Sequence, residues 1–198
     1  MAQFGKARVP TDGELKRLFS ATKAGQHARR NAAMVSVSYR LGFRAKEIAA
    51  LRVKDVLDDQ GKLREECGLT SSMTKGGKPR VAYLTNQSVR QSLKEYLDER
   101  RAQEGMLFNV MSPLFKSQKG GSFSPNTMQQ LLRRLHDRAG IVGGRSHSGR
   151  RWFATELISK GIDIKAVSTL MGHSTVAMTA RYAEDNPQRL RRIVAEML

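Results

Sequence analysis

The chain has 198 residues, 39% of them hydrophobic, with 35 Lys or Arg against 18 Asp or Glu and a formal charge of +17. That content supports one well-buried core with room for a small lobe, and the charge excess points to a polyanion partner, nucleic acid above all. The single cysteine, Cys67, excludes an intramolecular disulfide, no apolar run reaches membrane length, and the N-terminus lacks a signal-peptide core, so a soluble cytoplasmic protein without a membrane partner is expected.

Residues 1–10 read as a basic arm. Thr11-Asp12-Gly13-Glu14 has the spacing of a capping box, and Leu15, Leu18 and Phe19 follow at helical intervals. A second helix is expected from about Gln26 to Leu41, with Ala32, Met34, Val35 and Val37 in the core and Gly42 as its stop. Arg44 then opens another helix, Glu47 lies one turn on, and Ile48 and Leu51 anchor it. Taken alone, Arg44 and Glu47 would be a surface pair of little worth. Strands are expected at Val53–Leu57, Leu63–Leu69 and Arg80–Leu84, joined by turns at Asp58–Lys62 and Lys75–Lys78. The fold class is therefore mainly α with a small three-stranded antiparallel sheet.

Asn86 caps a helix expected to reach about Gln103, with Val89, Leu93, Tyr96 and Leu97 buried. Leu107–Phe115 is apolar and irregular, and Lys116–Gly121 is a basic loop that includes Lys119. Ser124 and Pro125 read as N-cap and first helical residue. Their helix turns Met128, Leu131, Leu132 and Leu135 inward, and Gln129, Gln130, Arg133 and Arg134 outward on a face suited equally to solvent and to a DNA groove. Gly140–Gly144 is a flexible lead into a helix capped by Ser146, with Trp152, Phe153, Leu157 and Ile158 in the core and Gly161 as the stop. Asp163–Met171 is a short helix that buries Ile164, Val167 and Leu170. Asn186-Pro187 breaks the chain before a last helix, where Leu190, Ile193, Val194, Met197 and Leu198 form an apolar stripe, either core or a plug for a neighbour.

The chemistry concentrates between Arg145 and Tyr182. His147 and Arg150 are three apart, so a helix puts them on one face, near a start that favours an anion. His173 and Tyr182 are nine apart, about half a turn out of phase on an unbroken helix. Gly172 and Ser174 supply the break that lets them converge. Two histidines, an arginine and a tyrosine can thus meet around one anionic group. Each also has a bland reading: Tyr182 as an amphipathic-helix residue, His173 as a cap after Gly172, His147 and Arg150 as ordinary DNA-backbone contacts.

In this order the boxes resemble those of the tyrosine recombinases, the phage-integrase family. The resemblance is carried by Gly42-Phe43-Arg44-Ala45-Lys46-Glu47, Thr74-Lys75-Gly76-Gly77-Lys78-Pro79-Arg80, His147-Ser148-Gly149-Arg150, Leu170-Met171-Gly172-His173 and Tyr182. It runs from about Val9 to Leu198. Gly149 departs from it, standing where the family usually has leucine, and so does Arg151, where the family often has a second histidine.

The resemblance implies a single recombinase catalytic domain over residues 1–198 without the N-terminal core-binding domain. It also implies a site-specific recombinase or integrase of a mobile element, acting through a 3′-phosphotyrosyl intermediate with no metal, ATP or other cofactor. A phosphodiester repels nucleophiles and its alkoxide leaves poorly, so displacement needs cations, a nucleophile and an acid. On the family pattern Arg44 and Arg150 grip the phosphate and Glu47 supports them. Lys75 protonates the leaving 5′-oxygen, with Lys78 the alternative three residues along. His147 and His173 donate hydrogen bonds, His147 also acts as base, and Tyr182 attacks. Lys78, Arg80, Lys119, Arg133, Arg134, Arg145 and Arg151 are expected DNA contacts. Double-stranded DNA and a homotetramer on synapsed sites are the expected partners, the free protein is expected to be a monomer, and the C-terminal helix (186–198) is expected to dock in trans. The competing readings are a catalytically silent DNA-binding accessory of the same fold and a type IB topoisomerase-like relaxing activity.

Overall fold

Side-chain caps set four of the eight α-helix starts among the described residues. The computed structural model describes residues 7–74, 76–184 and 194–195. Helix α1 (Asp12–Thr22) begins with the expected box: Glu14 N–H donates to Thr11 Oγ1 at 3.3 Å, and Thr11 N–H donates to Glu14 Oε2 at 2.9 Å. It is followed by α2 (Ala28–Arg40) and the short α3 (Ala45–Ala50). Asn86 Oδ1 accepts from Val89 N–H at 3.2 Å to open α4 (Gln87–Glu104), and Ser124 Oγ accepts from Thr127 N–H at 3.1 Å to open α5 (Pro125–Arg138). Asp163 Oδ1 accepts from the Lys165 and Ala166 amides at the head of α7 (Ile164–Met171). The remaining helices are α6 (Ser148–Ser159) and α8 (Val176–Glu184).

Two strands rather than three are found among the described residues, β1 (Glu66–Leu69) and β2 (Arg80–Tyr83), antiparallel with Leu69 opposite Arg80 and Cys67 opposite Ala82. The expected strand at 53–57 is instead a 3₁₀ turn at Val53–Asp55, followed by a single Leu57–Leu63 bridge. Asp55 Oδ2 accepts from Arg52 N–H at 2.7 Å and bends the chain there. The Val53 and Lys54 amides donate to Ser112 and Val110 carbonyls in a loop, leaving no ladder to extend.

Apolar side chains separate into two cores. The main one draws on α1 to α5 and the sheet, with Leu18, Met34, Phe43, Ile48, Leu51 and Leu97 sealed from solvent. The expected inward faces of α4 and α5 all lie in it. A second, small cluster joins α6 to α7: Ala154, Ile158, Val167 and Met171, with Phe153, Leu157 and Tyr182 packed on its edge. Trp152 leans on the main core instead. Ala32, Trp152, Phe153, Leu157, Ile164 and Leu170, all expected inside, are half-buried. The apolar run at Leu107–Phe115 divides, with Leu114 and Phe115 inside and Leu107, Val110 and Met111 exposed.

Gly149 is explained by the crossing of α6 over α2. A Cβ there would strike Ser38 Oγ and lie 2.9 Å from Tyr39 Cδ2, so the helices approach only because the side chain is absent. Residues 1–6 of the expected basic arm, the Asn186-Pro187 break and all of the C-terminal stripe except Val194 lie outside the described residues.

Candidate active site

The turn after α2 aims Arg44. Gly42 has φ 65, a left-handed conformation that glycine adopts without strain, and a Cβ there would press on the Phe153 ring at 2.6 Å. The chain then enters α3 with Arg44 at its N-cap and Glu47 one turn on, fully buried. Glu47 Oε1 accepts from Arg44 Nη1 at 2.8 Å, while Oε2 accepts from the Arg44 amide and from Arg80 Nη2, each at 2.8 Å. Burial by itself would push the Glu47 carboxyl up. Arg80, the Arg44 amide and Arg150 outweigh that and hold it below the ordinary carboxylate range, so it is ionised at neutral pH.

Arg80 corrects an expectation. Expected as a DNA contact, it has a side chain only 4% exposed, bonded to Glu47 and to Leu170 O, and 4.8 Å from the Phe43 ring centroid. In the alternation of β2 it shares the inward face with Ala82, and its guanidinium is held in the interior by a carboxylate and a carbonyl.

Arg150, on the first turn of α6, is 3% exposed. Its Nη1 donates to Gly42 O at 2.7 Å and its Nη2 to Met171 O. Burial first, then the nearby Arg44, push its pKa down to about 9, which leaves it a cation at neutral pH. His147 occupies the N-cap position of α6 and is exposed. The expected Ser146 cap is not formed. Ser148 Oγ, one residue inside the helix, accepts from Arg145 N–H at 3.0 Å instead.

His173 follows Gly172, whose left-handed φ 58, ψ 47 ends α7. Its Nδ1 lies 2.8 Å from Thr179 Oγ1, and its ring stacks on Tyr182 with centroids 5.9 Å apart and planes 12° from parallel. Burial, then Arg150, Arg44 and Arg80, push the His173 pKa down to about 4, so the ring is neutral at pH 7. Tyr182 is half-buried on α8, with the Arg151 guanidinium 5.8 Å from its ring centroid. A cleft of about 440 Å³ is lined by Arg145, Ser146, His147, Arg151, His173 and Tyr182.

The expected residues therefore form two joined groups. Arg44, Glu47 and Arg150 make a buried cationic net, and His147, His173 and Tyr182 surround the cleft, with the Arg150 bond to Met171 O between them. Lys78, Lys119, Arg133 and Arg134 are exposed and outside that cleft. Lys75 lies outside the described residues. Thr179, fully buried and bonded to His173, escaped sequence reasoning, although its place three residues before Tyr182 puts it on the same helix face. Arg181, exposed at the cleft, was also missed. Among the described residues no three His, Cys, Asp or Glu side chains gather as metal ligands would.

Residues 9–189 match the phage integrase family. Tyrosine recombinase XerD of Mycobacterium leprae is 36% identical over 172 residues, covering 84% of this chain and 51% of the relative. Tyrosine recombinase XerC of Pelobacter propionicus is 28% identical over 170 residues, 85% of this chain and 52% of the relative. The chain thus spans about half the length of these curated relatives. The crystal structure of XerA recombinase aligns with a TM-score of 0.78 at 28% identity, over 98% of this chain and 66% of that one. That of the XerH site-specific recombinase bound to a palindromic difH substrate, a post-cleavage complex, aligns at 0.71 with 24% identity over 96% of this chain and 53% of that one, a likeness of fold.

Proposed function

The chain belongs to the phage integrase family, and from that premise we propose that it is a tyrosine-type site-specific DNA recombinase, cutting and rejoining strands through Tyr182. One observation carries the reading. Arg150 is bonded at once to Gly42 O, two residues before Arg44, and to Met171 O, two residues before His173, so one guanidinium ties the cationic net to the tyrosine cleft.

In this proposal Arg44 and Arg150 neutralise the nonbridging oxygens of the scissile phosphate. His173, neutral at pH 7, donates a hydrogen bond to the same group. Tyr182 attacks in line as His147 takes its proton, forming a 3′-phosphotyrosyl link, and Lys75 protonates the departing 5′-oxygen. The link keeps the energy of the broken bond, so rejoining needs no ATP, and the arginines supply the positive charge, so the scheme employs no metal or other cofactor. The partner is double-stranded DNA, met through exposed cations such as Lys78, Lys119, Arg133, Arg134 and Arg145, with four protomers on synapsed sites. The C-terminal segment 186–198 docks on a neighbouring protomer in that assembly. No described helix is long and apolar enough to cross a membrane, and the proposed location is cytoplasmic.

The test is a nicked suicide duplex carrying the site recovered by sequencing DNA trapped on the protein in cells. A covalent complex with a free 5′-hydroxyl, unchanged by EDTA, is expected. Binding without a covalent complex would support the silent-accessory reading, and loss of cleavage in EDTA would overturn the metal-free scheme.

A further inference from the structure

We propose that Arg80 is a positioning residue for strand cleavage: it holds Glu47 and the turn leading to His173 in one arrangement, and so keeps Arg44 aimed at the phosphate. This rests on the recombinase reading. A guanidinium 4% exposed is expensive to bury unless its donors are used. Here both terminal nitrogens are used, on two separate parts of the site, while Nε is buried without a hydrogen-bond partner. Nη2 donates to Glu47 Oε2 at 2.8 Å, and Nη1 donates to Leu170 O at 2.9 Å, three residues before His173. The stem is fitted as closely as the head. The plane lies over Phe43, beside Arg44, and a Cβ on Gly172 would fall 2.5 Å from Arg80 Cδ. Gly172 thus serves twice, ending α7 in a left-handed turn and leaving room for the Arg80 side chain.

The consequence concerns Arg44. Its guanidinium meets Glu47 through Nη1 on Oε1, while Oε2 is taken by Arg80 and the Arg44 amide. An arginine beside an open carboxylate tends to close on it with both prongs of its fork. Arg80 occupies the oxygen that a second prong would need, so the Arg44 fork stays presented to a phosphate. Because Arg80 begins β2, the same side chain also ties the start of that strand to α3 and α7.

The experiment is single-turnover cleavage of the nicked suicide duplex by wild type, R80M, E47Q and the double variant, with DNA affinity and thermal melting measured alongside. R80M is expected to slow covalent-complex formation roughly 100-fold, with affinity little changed, since a small misplacement of a phosphate ligand has effects of that size. In the E47Q background the same change should cost about threefold, because Arg80 acts through the carboxylate. R80K, with a single ammonium that cannot reach Glu47 and Leu170 O together, should fall between, roughly tenfold down. Among the described residues, Arg44, Arg80 and Arg150 are the charged groups facing Glu47. Losing Arg80 raises the pH at which Glu47 takes up a proton, so the acid limb of the R80M cleavage profile should move to higher pH. A residue that merely stabilised the fold would not shift that limb.

Equal losses in both backgrounds, or an unmoved acid limb, would overturn the proposal. If R80M does not melt cooperatively, R80K carries the comparison. If R80K fails to fold too, Arg80 belongs to the core alone and the proposal falls. Wild type that forms no covalent complex would overturn the recombinase reading itself, whereas active wild type with an equally fast R80M would overturn only the assignment of Arg80.

Discussion

The main core and the α6–α8 layer differ in how they hold their share of the site. Arg44 and Glu47 sit on a short helix fixed by Ile48 and Leu51 inside a large apolar cluster. His173 and Tyr182 sit on a layer whose own core is four fully buried residues, Ala154, Ile158, Val167 and Met171. A region with few buried contacts opens locally at lower free energy than a deep one. Arg44 and Glu47, the proposed phosphate ligand and its support, are therefore set in deep packing, whereas Arg150, His173 and the proposed nucleophile Tyr182 stand on the thinner layer. Polar joints compensate for the thin packing: Arg150 to Gly42 and Met171 carbonyls, Arg80 to Glu47 and Leu170 O.

The largest expected effect comes from cutting one joint. Arg150→Ala removes a proposed phosphate ligand and the tie between the two regions, so cleavage should fall about 1000-fold, as for loss of a charge-stabilising donor. DNA affinity should fall modestly, because many other cations meet the backbone. Hydrogen exchange should speed up in α7 and α8 and stay unchanged in α2 and α4. Equal loss of binding and cleavage would favour a plain binding role and break the comparison.

A smaller effect tests the seam. Gly149→Leu restores the residue usual in the family, yet it inserts a side chain where Ser38 and Tyr39 already stand. Overpacking of this kind destabilises by about 1–3 kcal/mol, so the thermal midpoint should drop. If the midpoint holds, α6 does not lie against α2 as closely as described.

The smallest effect concerns pH. His173 is pushed down from 6.5 to about 4, so the unfolded chain takes its proton first, and this contribution to stability is lost as pH falls from about 6.5 towards 4. Glu47 is held below its ordinary 4.5, and its contribution is lost only as pH falls below that value. His136, buried on α5 in the main core, is pushed down by burial as well, so the main core also weakens in this window. The part that belongs to His173 is the difference between wild type and His173→Gln: the rise in hydrogen exchange of α7 and α8 as pH falls from 7 to 4 should be smaller in the variant, and an identical rise would contradict the assignment.

Four helix starts were legible because a cap is a local pattern: Thr11, Asn86, Ser124 and Asp163 each bond an amide two or three residues on. The boxes that carry the family resemblance were legible for a similar reason, each being a few adjacent residues. Partners far apart in sequence were not. Arg80 read as a surface cation because its carboxylate lies 33 residues upstream and its carbonyl 90 downstream. The third strand failed because Val53 and Lys54 look like strand residues, while the carbonyls that take their amides belong to Ser112 and Val110. Ser146 looked like a cap, but Ser148 accepts the Arg145 amide. Gly149 looked like a departure from a family pattern, and only the neighbouring helix shows why glycine stands there.

The central claim is that Tyr182 is the nucleophile. Protein trapped on the nicked suicide duplex can be digested and the DNA-linked peptide identified by mass spectrometry. The account predicts a single phosphotyrosyl link at Tyr182 and no covalent complex with Tyr182→Phe. A complex that persists in Tyr182→Phe, or a link mapping to any other residue, would contradict it.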